Sequence, residues 1–206
     1  EVNRTIIDIH ILQTVPPSNL NRDDTGSPKT AVYGGVRRAR VSSQAWKRAT
    51  RLAFNAELDP SELGLRTKRV VELLAERIST QSPDLKGQAE TLAAEALKAI
   101  GIKTEKPKKR NSENADDDND GDIRPAESEY LLFLSARQLD NLAEAVVAAA
   151  HAEAGFKAAL KERKVKDLVD RDHSVDIALF GRMVANATDI NVDAAAQVAH
   201  AISVHQ

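Results

Sequence analysis

The strongest constraint on the fold is the spacing of apolar residues between positions 67 and 170, where they recur three and four apart and many are alanine. Val70, Leu73, Leu74 and Ile78 form one helical stripe near 67–80. Further helices are predicted near 84–100, closed by Gly101, and from the capping residue Ser135 to about Ala154, ended by Gly155. A shorter one spans about 156–170. Alanine gives such helices thin faces that pack closely. Aromatic residues make up only 3% of the chain, which argues against a large sandwich core. The 42% apolar content over 206 residues suffices for one large domain or for a domain carrying an insertion.

Both ends read differently. Residues 4–12 place Ile7, Ile9 and Ile11 on one face and Asp8 and His10 on the other, which predicts a half-buried strand. Val175–Phe180 and Val198–His205 are β-compatible as well. Strands at both ends with helices between them predict a helical insertion in an α+β fold. Pro16, Pro17, Asn19, Asn21, Gly26 and Pro28 mark a long loop, and long loops in compact domains are commonly functional. Residues 103–129 have almost nothing to bury and read as a disordered linker. Within it, Lys108, Lys109 and Arg110 precede an acidic run, Asp116–Asp122, that lacks the terminal glutamate of a calcium loop.

The formal net charge of −2 conceals a strong asymmetry. Residues 22–51 carry eight basic side chains against Asp23 and Asp24, a local balance of +6, so the remainder sums to −8. A concentrated basic segment suits a polyanion, with a solvated charged face as the alternative. The absence of cysteine excludes disulfides, thiolate metal sites and cysteine nucleophiles. Neither an apolar run of about 18 residues nor a secretory leader is present, so a soluble cytoplasmic protein without a membrane partner is expected.

Within the basic segment three means of holding phosphate are predicted: guanidinium forks from Arg37, Arg38 and Arg40, ammonium groups from Lys29 and Lys47, and backbone N–H groups around Ser42, Ser43 and Gln44. Gly34–Gly35 would let a ligand approach the backbone closely. Arg38 and Arg40 share a face if the segment is extended. Gln44 to about Leu58 forms a helix carrying Lys47, Arg48 and Arg51, with Trp46, Ala49, Ala53 and Ala56 expected to pack inward. Asp23 and Asp24 are candidates for a divalent ion in RNA cleavage, although turn capping is the simpler assignment without a third ligand nearby. His10, His200 and His205 form no metal-ligating spacing, and Met183 would ordinarily be core. No phosphate loop or nucleophile–base motif stands out, and no cofactor is expected.

Several stretches resemble the backbone subunit (CasC family) of the type I-E CRISPR Cascade surveillance complex. They are Ile-Asp-Ile-His-Ile-Leu at 7–12, Ser-Asn-Leu-Asn-Arg-Asp-Asp at 18–24, Tyr-Gly-Gly-Val-Arg-Arg-Ala-Arg-Val-Ser-Ser-Gln-Ala-Trp-Lys-Arg at 33–48, Ala-Leu-Phe-Gly-Arg-Met at 178–183 and Ala-His-Ala-Ile-Ser-Val-His-Gln at 199–206. The resemblance implies an RNA-recognition-motif-like (ferredoxin-like) palm, formed by 1–58 and 173–206, with a helical fingers insertion over 59–172. It implies a non-catalytic subunit that polymerises along a guide RNA (crRNA), contacts other Cascade subunits and presents the guide to target DNA in antiviral defence. It assigns RNA contact to Asn21, Arg22, Lys29, Arg38, Arg40, Ser42, Gln44, Lys47 and Arg51, and sets Met183 against the bases. Lys108, Lys109 and Arg110 would then lie in a fingers loop facing target DNA. Family members continue beyond the motif ending at Gln206, so the thumb and remaining palm strands are expected to be missing from this chain. The rival expectation, from subunits of other CRISPR types that cut RNA with a loop aspartate, is a metal-dependent ribonuclease using Asp23 or Asp24.

Overall fold

The structure, a computed structural model, describes residues 5–105 and 125–205. The chain divides into two compact units, one running to Arg48 and resumed from Val198, the other spanning Ala49–Gln197.

In the smaller unit β1 (Thr30–Tyr33) and β2 (Val36–Val41) form an antiparallel hairpin with Thr30 opposite Ala39 and Tyr33 opposite Val36. Gly34 and Gly35 make its two-residue turn at φ of 63° and 78°. A turn with positive φ at both central positions matches the strand twist and favours glycine at each. The pair thus shapes the hairpin, and the space around both positions is open. The other edge of β2 pairs with a short strand, Ala201–Ile202, through Arg40 opposite Ile202 and Val41 opposite Ala201. Helix α1 (Ser43–Glu57) follows β2 directly, and the division between the units falls within it.

The strand predicted over 4–12 is not formed in its described part. Residues 5–12 pair with no strand, and Ile7, Ile9 and Ile11 are 79%, 79% and 75% exposed. Alternation supplies an apolar face but no hydrogen-bond partner, and a strand requires both.

The larger unit holds the main core. Helices α2 (Val70–Gln81), α3 (Ala89–Ile100) and α4 (Ala136–Ala150) bury Leu74 and Ile78, Ala93, Leu97 and Ile100, and Leu139, Leu142 and Val146 against one another. The alanines at 93, 96, 143 and 149 are buried too and allow the close helix approach the composition required. β3 (Gly64–Thr67) pairs antiparallel with β6 (Leu132–Ser135), Arg66 lying opposite Phe133. Within the predicted linker, β4 (Thr104–Glu105) and β5 (Glu127–Ser128) pair with each other. The rest of that prediction, with Lys108, Lys109, Arg110 and the acidic run, lies outside the described residues.

Two predicted elements change form. The helix expected over 156–170 is two, α5 (Phe156–Glu162) and α6 (Val165–Val169), separated at Lys164, whose φ is 47°. Val175–Phe180, read as β-compatible, is helix α7. A short apolar run fits either state by periodicity, and here Gly181 at φ 76° ends a helical turn.

Candidate nucleic-acid interface

Alternation along β2 puts Arg38 and Arg40 on one half-buried face and Arg37 on the exposed one. Arg37 Nε donates to Thr30 Oγ1 at 3.2 Å across the hairpin. Arg38 is committed to its own chain. Its Nε donates to the Tyr33 carbonyl at 3.2 Å, and its Nη1 reaches the carbonyls of Ser203, at 3.1 Å, and Val204. Arg40 Nε is buried without a hydrogen-bond partner among the described residues. A buried donor of this kind costs about 1–3 kcal/mol unless something accepts from it.

The predicted backbone route to phosphate at the start of α1 is largely closed. Ser42 N–H donates to Asn21 Oδ1 at 3.0 Å, Ser43 N–H to His200 Nδ1 at 3.0 Å, and Ala45 N–H to Ser42 Oγ at 3.3 Å. Ser42 is buried, acting as the helix cap, and Gln44 is exposed beside it. Asn21 and His200 therefore tie the loop and the chain's last strand to the helix start. His200 was invisible in this role from spacing alone, since the two ends of the chain meet only in the fold. Lys47 is half-buried and Arg48 exposed on the following turn. Ala49, Ala53 and Ala56, expected to pack inward, are exposed, whereas Arg51 and Phe54 take the half-buried side. Their larger apolar area gains more from burial than a methyl group does.

The loop before β1 is held by its own polar groups. Asp23 Oδ1 accepts from Thr25 N–H at 2.9 Å, Thr25 Oγ1 at 2.7 Å and Ser27 N–H at 2.9 Å. These bonds, the Thr25 hydroxyl first, hold its carboxyl below the usual aspartate range. Asp23 is thus a turn former, the simpler of its two assignments. Around it, the Lys29 N–H donates to the Asn21 carbonyl at 2.8 Å and Arg22 bridges to Pro28. The side chains of Arg22 and Asp24 are exposed, and Lys29 is half-buried. Among the described residues no group of three or more His, Cys, Asp or Glu side chains could hold a metal ion.

In the larger unit, the Arg51 guanidinium lies 4.9 Å from the Phe180 ring centre and 5.7 Å from that of Phe133, and Phe54 stacks on Phe180 at 6.3 Å. Three residues past Phe180, Met183 is 83% exposed, against its ordinary assignment to the core. Its exposure follows from its neighbour. Arg182 is only 4% exposed, and its Nε and Nη2 donate to the Ile190 carbonyl at 2.9 and 2.6 Å while Nη2 also reaches the Val169 carbonyl at 2.7 Å. With the preceding side chain drawn inward, Met183 points out. The anchoring role of Arg182 has no signal in the sequence, where it stands only as part of the Ala-Leu-Phe-Gly-Arg-Met motif.

The sequence matches the CT1975-like protein family over residues 7–206. The chain belongs to that family. No curated protein matches it. Among solved structures, this CT1975-like protein is similar to a chain of a "CRISPR RNA-guided surveillance complex" at 32% identity and a TM-score of 0.69, covering 94% of the present chain and 56% of the other. It is also similar to a chain of a "CRISPR RNA-guided surveillance complex, pre-nicking" at 33% identity and a TM-score of 0.67, covering 91% and 49%. The CT1975-like chain thus spans about half the length of the solved chains it matches. No helix among the described residues is long and apolar enough to cross a membrane.

Proposed function

We propose that this chain is a guide-RNA-binding backbone subunit of a Cascade complex of type I-E, acting by binding and not by catalysis. The observation that carries this reading is its likeness, at 32% identity over 94% of its length, to a chain of an RNA-guided surveillance complex. The basic segment supplies the chemistry. Lys29, Arg38, Arg40, Lys47 and Arg51, with Arg22 on the adjoining loop, neutralise successive phosphates; Asn21, Ser42 and Gln44 complete the cradle with polar contacts, and Met183 meets the bases. Lysine and arginine contacts to phosphate carry no sequence information, which suits a protein that must hold any guide.

In this reading residues 1–58 and 173–206 belong to an RNA-recognition-motif-like palm and 59–172 to helical fingers. Copies of the subunit assemble along one guide in the cytoplasm, beside other Cascade subunits, and leave its bases free to pair with target DNA. In this reading Arg38 releases the carbonyls of Ser203 and Val204 when it takes up a phosphate oxygen, and Arg40 offers its buried, unpartnered Nε to another. Purification of the subunit with its complex tests the reading. RNA of defined length should be extracted with it, with an absorbance ratio typical of a ribonucleoprotein; a complex free of RNA that fails to shift added guide would overturn it.

A further inference from the structure

Arg66 lies outside the basic segment and has no role in the interface described so far. It is exposed on β3, directly opposite Phe133 in the register of β3 and β6. Residues directly opposite in an antiparallel pair project from the same face with their Cβ atoms about 5 Å apart. The ring of Phe133 is also one of the two beneath Arg51, at 5.7 Å from the guanidinium. Arg66 and Arg51 thus converge on Phe133, Arg66 as its register partner and Arg51 through its guanidinium, both within the larger unit.

Their surroundings compensate that charge only in part. Among the described residues neither makes an ion pair, and Arg51 Nε is buried without a hydrogen-bond partner. Burial, then the charge of Arg66, hold the Arg51 guanidinium below the ordinary arginine range, while Asp176 acts in the opposite sense. Asp176 is itself buried, and its Oδ1 already accepts from Gly64 N–H at 3.0 Å, Ser174 Oγ at 2.6 Å and Ile177 N–H at 3.1 Å. Two like charges against one committed carboxylate form an arrangement that an external anion would relieve. The aromatic rings beneath Arg51 give that anion a flat, weakly hydrated guanidinium to bind.

We infer that Arg66 and Arg51 together hold one phosphodiester of single-stranded RNA on the larger unit, Arg51 positioned by the rings of Phe133 and Phe180. This rests on the RNA-binding reading above and extends it to a residue outside the basic segment. The inference separates binding from stability. Because Arg66 repels Arg51, Arg66→Gln should leave the melting temperature unchanged or slightly raised, whereas a residue with only a structural role would lower it.

The test uses the full chain with a fluorescent single-stranded RNA, titrated at several salt concentrations. Arg66→Gln is expected to weaken binding about tenfold, the loss of one charge-assisted contact, and to reduce the salt slope by about 0.7. Arg66→Lys should recover most of the affinity. Wild-type affinity and slope in Arg66→Gln would overturn this inference alone. A wild-type chain that binds no RNA would overturn it together with the proposed function. Weakened binding with an unchanged slope and a lowered melting temperature would assign Arg66 a structural role and also overturn it.

Discussion

At the scale of single residues, the positions with least freedom cluster where β3 meets α7. A Cβ on Gly64 would stand 2.4 Å from a ring carbon of Phe133 and 2.8 Å from Ser174 Oγ, so no side chain fits there without moving the ring. Gly64→Ala should destabilise the larger unit by about 1–3 kcal/mol, measured by urea unfolding, the usual cost of overpacking. His173 supplies a pH dependence. Burial, and next the charge of Arg182, lower its pKa from the ordinary value of 6.5. The Gln138 amide nitrogen, which donates to the Val169 and Arg171 carbonyls at 2.9 and 2.7 Å, lies 3.0 Å from the His173 Nδ1. Because the His173 pKa is lowered in the fold, the unfolded chain binds a proton more readily than the folded one. Stability from this group is present above the unfolded value of 6.5 and is lost as pH falls through the lowered folded value. Unfolding at pH 7.5 and 5.5 should show a weaker protein at the acid end, with the difference reduced in His173→Gln. Asp23 and Asp84, whose lowered values start from 3.8, titrate below that window.

Among elements, α4 has the most completely specified beginning. Ser135 Oγ accepts from Gln138 N–H at 3.0 Å and Gln138 Oε1 accepts from Ser135 N–H at 3.0 Å, a reciprocal capping box in a buried setting. Ser135→Ala should cost about 1–2 kcal/mol in unfolding free energy, at the upper end for a cap because its hydroxyl also donates to the Asp172 carbonyl at 2.8 Å. Elements of this kind were legible in the sequence. Ser135 and Gly101 announce helix ends by chemistry that acts within a few residues, whereas α4 stops at Ala150 and Gly155 precedes α5 instead of ending α4; the helical periodicity of α2 is carried by Val70, Leu74 and Ile78, which are buried as that periodicity requires. The misreadings arise where a local pattern admits more than one outcome or where the partner lies far away along the chain. Residues 5–12 alternate like a strand yet pair with none, α7 is a helix from a six-residue run compatible with either state, and the exposed alanines of α1 would need a neighbour to face inward. The site divides in the same manner. The clustering of basic residues was legible, whereas the capture of Arg38 by Ser203 and Val204 and of Ser43 by His200 depends on residues more than 150 positions away.

For the whole molecule, a chain with a formal net charge of −2 concentrates its positive charge on one segment and assigns part of that segment to structure. Membership of the CT1975-like protein family and likeness to chains of RNA-guided surveillance complexes give that segment its proposed use. The most direct test is the affinity of two single-stranded RNAs of unrelated sequence, measured across a salt series for the wild-type chain and for Lys47→Ala/Arg51→Ala. Both RNAs should lose affinity by the same factor, on the order of tenfold or more, and the salt slope should fall by about 1.4, corresponding to two phosphate contacts. Unchanged affinity and slope in the double variant, or a loss confined to one sequence, would contradict a backbone grip built on this segment.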